Sequence, residues 1–255
     1  MNAGEPRHAS GALRSGAEVR EMFGRIVGRY DLMNRLMTVG RDVAWRNLAV
    51  RVALAGYPRG TAKVLDVATG TGDLALALAA AGAAETVGVD FAAPMLRVAA
   101  AKPVPAEAGT LSWVVADAMA LPFADGAFDA CTVAFGLRNM PDYGLALAEM
   151  ARVLRPGGRF VCLEMTPLRT PVVGPAFGWY FETVVPLVGG LLSGDREAYR
   201  YLPASVAAFP DAPTLAAMME QAELTDARFR KLGGGTVALH TGVKARFGET
   251  TPALA

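Results

Sequence analysis

Short apolar runs alternate with stretches of helical periodicity along most of the chain, the pattern of a doubly wound, mostly parallel sheet with helices on both faces. The runs predict strands at Lys63 to Val67, Thr86 to Val89, Leu111 to Val115, Phe128 to Ala134 and Arg159 to Glu164, with two later ones near Ala227 to Lys231 and Val237 to Val243. Helices are expected between them at Asp73 to Ala81, Pro94 to Lys102 and Gly144 to Leu154. The segment Val153-Leu154-Arg155-Pro156-Gly157-Gly158 is expected to end the last helix, proline stopping it and the glycine pair supplying a left-handed cap. Ahead of the sheet, residues 17–55 read as a helical cap, with Val19, Met22, Phe23, Ile26 and Val27 at helical spacing. Residues 170–224 break the alternation as a helical insertion after the fifth strand; residues 1–16 and 248–255 read as a disordered tail and a frayed end around one domain, 17–247.

Lys+Arg number 25 against Asp+Glu 24, so there is no basic excess and a nucleic-acid partner is not expected. Cys131 and Cys162 lie inside apolar runs without Cys or His at metal spacing, which predicts buried reduced thiols, no metal site and a cytoplasmic protein. The hydrophobic content of 53% raises a membrane span, and Pro171 to Leu192 is the candidate. Three prolines, four glycines and the central Glu182 argue against it, since an acid at a helix centre costs roughly 2.5–3.5 kcal/mol on insertion.

The chemistry concentrates in Val64-Leu65-Asp66-Val67-Ala68-Thr69-Gly70-Thr71-Gly72-Asp73, a strand running into a glycine-pinched turn and then a helix. Gly70 and Gly72 permit close backbone approach, and Gly70-x-Gly72-x-x-Ala75 also satisfies the dinucleotide fingerprint. The carboxylates separate the two cofactors. A pyrophosphate at the helix N-terminus would face Asp73 and Asp66 with like charge, whereas S-adenosylmethionine (SAM), with an ammonium and a sulfonium, would be attracted. Asp90, ending the next strand, suits ribose hydroxyls; Asp117 and Ala118 suit an adenine edge; Thr69 lies in the turn. The plainer alternatives are Asp73 as a helix cap and Asp117 as a turn acid.

Tyr30-Asp31-Leu32-Met33-Asn34 on to Trp45, Arg152 to Thr166, Phe135-Gly136-Leu137-Arg138-Asn139, Arg196 to Pro203, Val206 to Pro210 and Val237 to His240 together resemble class I SAM-dependent methyltransferases. More narrowly, they are similar to the quinone-biosynthesis C-methyltransferases that act on demethylmenaquinol and on the benzoquinol precursor of ubiquinone, over about residues 19–244. Thr38 and Asp42 stand where that family usually has Ser and His, Thr166 where it has Ser, and Ala134 where some members use Ser. The resemblance implies a Rossmann-like seven-stranded sheet, SAM as cofactor and contacts to it from Thr69, Asp90, Asp117 and Ala118.

It also implies ring-carbon methylation of a prenylated quinol, which requires a hydroxyl that titrates near 10 to give up its proton. No metal is needed for that step. Arg138 would stabilise the phenolate and Asn139 would orient it; Tyr30, Asp31, Asp142, His240 or a water held by Arg138 are the candidate bases. Tyr30, Asp31 and Asn34 also read as a polar latch from the N-terminal helices, Glu164 as an orienting or a structural acid, and His240 as a strand histidine bonded to backbone. A prenyl tail implies transient membrane-surface contact through Phe177, Trp179, Tyr180, Phe181, Val184 and Val185, residues that would otherwise pack as core or as a homodimer interface. The alternatives are a methyltransferase for another phenolic or polyketide small molecule, an NAD-linked oxidoreductase, and a non-catalytic SAM-binding or assembly protein.

Overall fold

The computed structural model describes residues 16–38, 40–168 and 196–246. Both terminal tails, the apolar segment 171–192 and the side chain of Tyr30 lie outside the described residues.

Seven strands form one sheet in the order β3-β2-β1-β4-β5-β7-β6. They are β1 (Lys63–Val67), β2 (Glu85–Asp90), β3 (Thr110–Val115), β4 (Phe128–Ala134), β5 (Leu154–Met165), β6 (Leu224–Leu232) and β7 (Val237–Lys244). The first five are mutually parallel, and β7 inserts antiparallel between β5 and β6. Parallel strands buried on both faces need apolar residues at nearly every position, and Val64, Leu65 and Val67 of β1 are all fully buried.

Helices α4 (Asp73–Ala81), α5 (Ala93–Ala101) and α6 (Tyr143–Arg152) make the crossovers, and α7 (Arg196–Ala208) and α8 (Ala212–Gln221) precede β6. The cap comprises α1 (Gly16–Ile26), α2 (Tyr30–Met37) and α3 (Arg41–Ala53). Two apolar layers result. Leu137, Tyr143, Leu147, Met150 and Leu215 pack on one face of the sheet, and Ala49, Val50, Leu74, Leu78 and Leu163 on the other. Asp142 and Asp211 start α6 and α8 by accepting from the backbone N of Leu145 at 2.9 Å and of Thr214 at 3.1 Å.

Most boundaries move by one to three residues, and that between α6 and β5 moves most. α6 stops at Arg152 with Val153 as a right-handed cap, and Leu154 already pairs with Phe128, so Pro156-Gly157-Gly158 lies inside β5. The glycines absorb a register shift between Phe128 and Ala130, with Gly157 at φ 78°, instead of capping a helix.

Candidate functional site

Connections from β1 lead toward β2 and β3, whereas those from β4 lead toward β5, so the chain reverses direction across the sheet between β1 and β4. Ligands of open α/β sheets occupy such crevices, outside the carboxyl ends of the strands. A cavity of about 350 Å³ opens there, lined by Gly70 after β1, Asp90 and Phe91 after β2, Asp117 and Ala118 after β3, and Asn139 after β4. Ala17 and Arg20 of α1 close one side.

Asp66, 1% exposed, lies with Thr69 in a smaller pocket that shares Ala68 and Gly70 with this cavity, its two oxygens accepting from Thr69 Oγ1 and Thr132 Oγ1, each at 2.6 Å. Burial raises its pKa from 3.8 to about 6 despite those two hydrogen bonds. Asp90 is also buried and shifted upward by desolvation; its Oδ2 accepts from Gly70 N and its Oδ1 from Ala92 N, both at 2.8 Å. Gly72 takes φ 83° as the N-terminal cap of α4. Asp117, exposed, accepts Met119 N at 2.9 Å in a turn whose rim belongs to the cavity, so the turn-acid and ligand readings coexist in one residue.

The buried Asp66 makes stability pH-dependent. Between pH 3.8 and about 6 the folded chain holds a proton there that the unfolded chain has released, so the unfolding free energy falls as pH rises through that window, by about 3 kcal/mol in all. Urea unfolding of Asp66→Asn and the unsubstituted protein at pH 4 and pH 7 checks this: relative to the unsubstituted protein, the variant gains about that amount on going to pH 7. A pH-independent difference contradicts it.

Two cavity residues carry a signal that periodicity does not register. Ala68 and Phe135, directly after β1 and β4, have φ of 52° and 57°, a left-handed conformation that is uncommon outside glycine and that collects at functional sites. Between them Gly136 is indispensable, since a Cβ there would stand 2.4 Å from Ala68 Cβ. Asn139 lines the cavity, and its Oδ1 is buried with no hydrogen-bond partner among the described residues. Buried carboxylates, a turn pinched by Gly70 and Gly72 and an unsatisfied polar atom fit a nucleoside carrying positive charge and no phosphate.

Other expectations are corrected. Asp73 makes no cap bond and does not await a cationic ligand: Lys102 Nζ lies 2.6 Å and Arg46 Nη1 3.6 Å from its carboxylate. Asp31 is not placed as a base, because it accepts from Thr71 Oγ1 at 2.5 Å and from Lys102 Nζ at 2.7 Å. It is instead a latch tying α2 to the glycine turn and α5. Asp42 is buried between Thr38 Oγ1, at 2.9 Å, and Arg46, a structural use of the position. Asp142 is the α6 cap, and His240 Nε2 lies 3.0 Å from the Ala212 carbonyl with the ring kept neutral by burial, which leaves it the backbone-bonded strand histidine. Arg138 is 7% exposed and bound to Glu164 at 2.7 Å behind the cavity wall, whereas its neighbour Asn139 reaches the cavity. Cys131 and Cys162 are buried and unpaired. Among the described residues no cluster of three or more His, Cys, Asp or Glu could hold a metal, and no helix is long and apolar enough to cross a membrane.

The fold is shared with solved structures. A SAM-dependent methyltransferase from Thermotoga maritima superposes with TM-score 0.58 at 17% identity over 88% of this chain and 98% of its own. The [4+2]-cyclase SpnF superposes with TM-score 0.60 at 18% identity over 94% and 99%. Likeness of this kind establishes a Rossmann-like fold and leaves the reaction open. The chain belongs to the ubiE/COQ5 methyltransferase family, whose model matches residues 12–244. It is 51% identical over 224 residues to a demethylmenaquinone methyltransferase of Thermus thermophilus, covering 87% of this chain and 99% of that one. It is 46% identical to the ubiquinone/menaquinone biosynthesis C-methyltransferase UbiE of Syntrophotalea carbinolica, covering 92% and 98%.

Proposed function

We propose that this enzyme methylates a ring carbon of a prenylated quinol with SAM as donor, demethylmenaquinol to menaquinol being the principal reaction and the ubiquinone benzoquinol precursor a second substrate. The reading is carried by the 51% identity, over 87% of the chain, to a protein named demethylmenaquinone methyltransferase. The cavity supports it chemically. Asp90 accepts the ribose hydroxyls, Asp117 and the Ala118 backbone meet the adenine edge, and Thr69, Gly70 and Gly72 shape the turn beside them. Asp66, ionised, attracts the amino-acid ammonium from the smaller pocket. When bound, SAM supplies an electrophilic methyl group on a sulfonium.

The chain must then hold an electron-rich arene in line with that methyl and favour its phenolate form. Asn139, which lines the cavity, orients the acceptor hydroxyl, and the charge of Arg138, one residue away behind the cavity wall, stabilises the oxygen as it loses its proton. The Asp31 latch holds the cap against the glycine turn and α5 beside the acceptor. Prenylated quinols partition into lipid, so the enzyme takes its substrate at a membrane surface.

Incubation with methyl-labelled SAM and each reduced demethylquinone, followed by mass spectrometry, tests the proposal. Label on a ring carbon, faster turnover with a longer prenyl chain and co-flotation with liposomes are expected. Label on oxygen, or equal turnover of a soluble phenol, would refute it.

A further inference from the structure

Glu164, 1% exposed near the end of β5, meets Arg138 at two points. Its Oε1 accepts from Nη1 at 2.7 Å and its Oε2 from the Arg138 backbone N at 3.2 Å. Oε1 also accepts from Met165 N at 2.8 Å, so the carboxylate is fastened to its own strand before it reaches the turn after β4. Arg138 Nη1 has a further fixed partner in the Phe135 carbonyl at 2.6 Å. One carboxylate therefore sets both where the Leu137–Asn139 turn lies and how the guanidinium of Arg138 is oriented.

As a device for stability alone this would be poor. Taking two charges out of water costs several kcal/mol per ion, and apolar residues of similar volume often do as well. The grip lies one residue from Asn139, which lines the cavity. The titratable groups around the pair are Tyr143 on α6, Tyr201 on α7 and Cys162 on β5. Tyr143 donates to the Arg138 carbonyl at 3.3 Å and is pushed up to about 12, and burial pushes the Cys162 thiol up. Near neutral pH the local charge consequently comes from Arg138 and Glu164.

We propose that Glu164 is a positioning residue for methyl transfer: its two-point hold on Arg138 fixes the place, and moderates the charge, of the guanidinium that acts on the acceptor hydroxyl from behind the cavity wall. The inference rests on the reading that Arg138 stabilises that oxygen. Glu164→Gln keeps the side-chain length and one acceptor oxygen while removing the charge. Turnover at the pH plateau is expected to drop about 10- to 100-fold through misplacement of Arg138. KM for SAM and the SAM-induced rise in melting temperature stay unchanged. The rising limb of the pH–rate profile moves to lower pH, because an uncompensated Arg138 acidifies the phenol more strongly.

A merely structural Glu164 would lower the melting temperature and leave the midpoint of that limb in place, which overturns the proposal. Should the Gln variant not fold, Glu164→Asp is measured instead; the shorter acid also releases the grip, and a wild-type rate and profile there overturn the proposal equally. Arg138→Ala separates the two levels. If it loses transfer while Glu164→Gln behaves as wild type, only the positioning role falls. If Arg138→Ala itself transfers normally, the reading of Arg138 falls and takes this role with it.

Discussion

Asp90→Ala is expected to weaken SAM binding on the order of 10²- to 10³-fold. A carboxylate offers about four acceptor positions, and the backbone N–H groups of Gly70 and Ala92 occupy two of them. The remaining positions, 6% exposed at the cavity edge, are where ribose hydroxyls would donate. Hydrogen bonds to a charged acceptor are each worth roughly 1.5–3 kcal/mol; with the backbone N–H groups of Gly70, Ala92 and Phe91 sharing the same carboxylate the lower end applies, so losing two removes affinity on the scale stated. The alanine variant also releases the Gly70 turn from the start of α5, which adds to the loss. Asp90→Asn keeps one acceptor oxygen and should fall between. Titration calorimetry with SAM checks the series; an alanine variant that binds as tightly as the unsubstituted protein would remove Asp90 from the site.

Gly72→Ala should be the most destabilising single methyl addition in the cleft. Its φ of 83° is strained for any residue with a Cβ, and that atom would stand 2.5 Å from the Trp113 ring and 2.9 Å from Ala99 Cβ. The left-handed conformation costs roughly 1–2 kcal/mol, and overpacking a dense core typically another 1–3. The sum, about 2–5 kcal/mol, corresponds to a melting temperature lower by roughly 5–15 °C for a domain of this size. Gly234 is the control, with φ 68° but open space around it: Gly234→Ala carries only the backbone cost. Thermal denaturation of both variants would contradict the packing argument if the two midpoints fell equally.

The positions that the sequence made legible share a property. β1, β4 and β7 are short apolar runs whose burial on both faces leaves little choice of residue, and Gly70 and Gly72 are needed for their backbone conformation alone. Asp90 and Asp117 follow from lying at strand ends, since an α/β sheet collects its polar residues on that edge. In each case the cause lies within a few residues of the effect. The misplaced end of α6 also has a local look, yet it was settled by Phe128, whose pairing with Leu154 drew Pro156 and the glycines into β5.

Charges behave otherwise, because the partner of an ionised group is set by where distant segments meet. Asp73 reads as a carboxylate waiting for a cation until Lys102, 29 residues on, closes over it together with Asp31 from α2. Arg138 reads as a lone cation until Glu164, 26 residues away on the neighbouring strand, takes it from behind. Backbone geometry and apolar periodicity are short-range, so the linear chain was sufficient for the sheet, the turn and the cofactor class. Desolvation and pairing of charge exist only once strands and helices are packed, so the fold alone shows that Asp31 meets Thr71 and Lys102, that His240 meets the Ala212 carbonyl and that Glu164 meets Arg138.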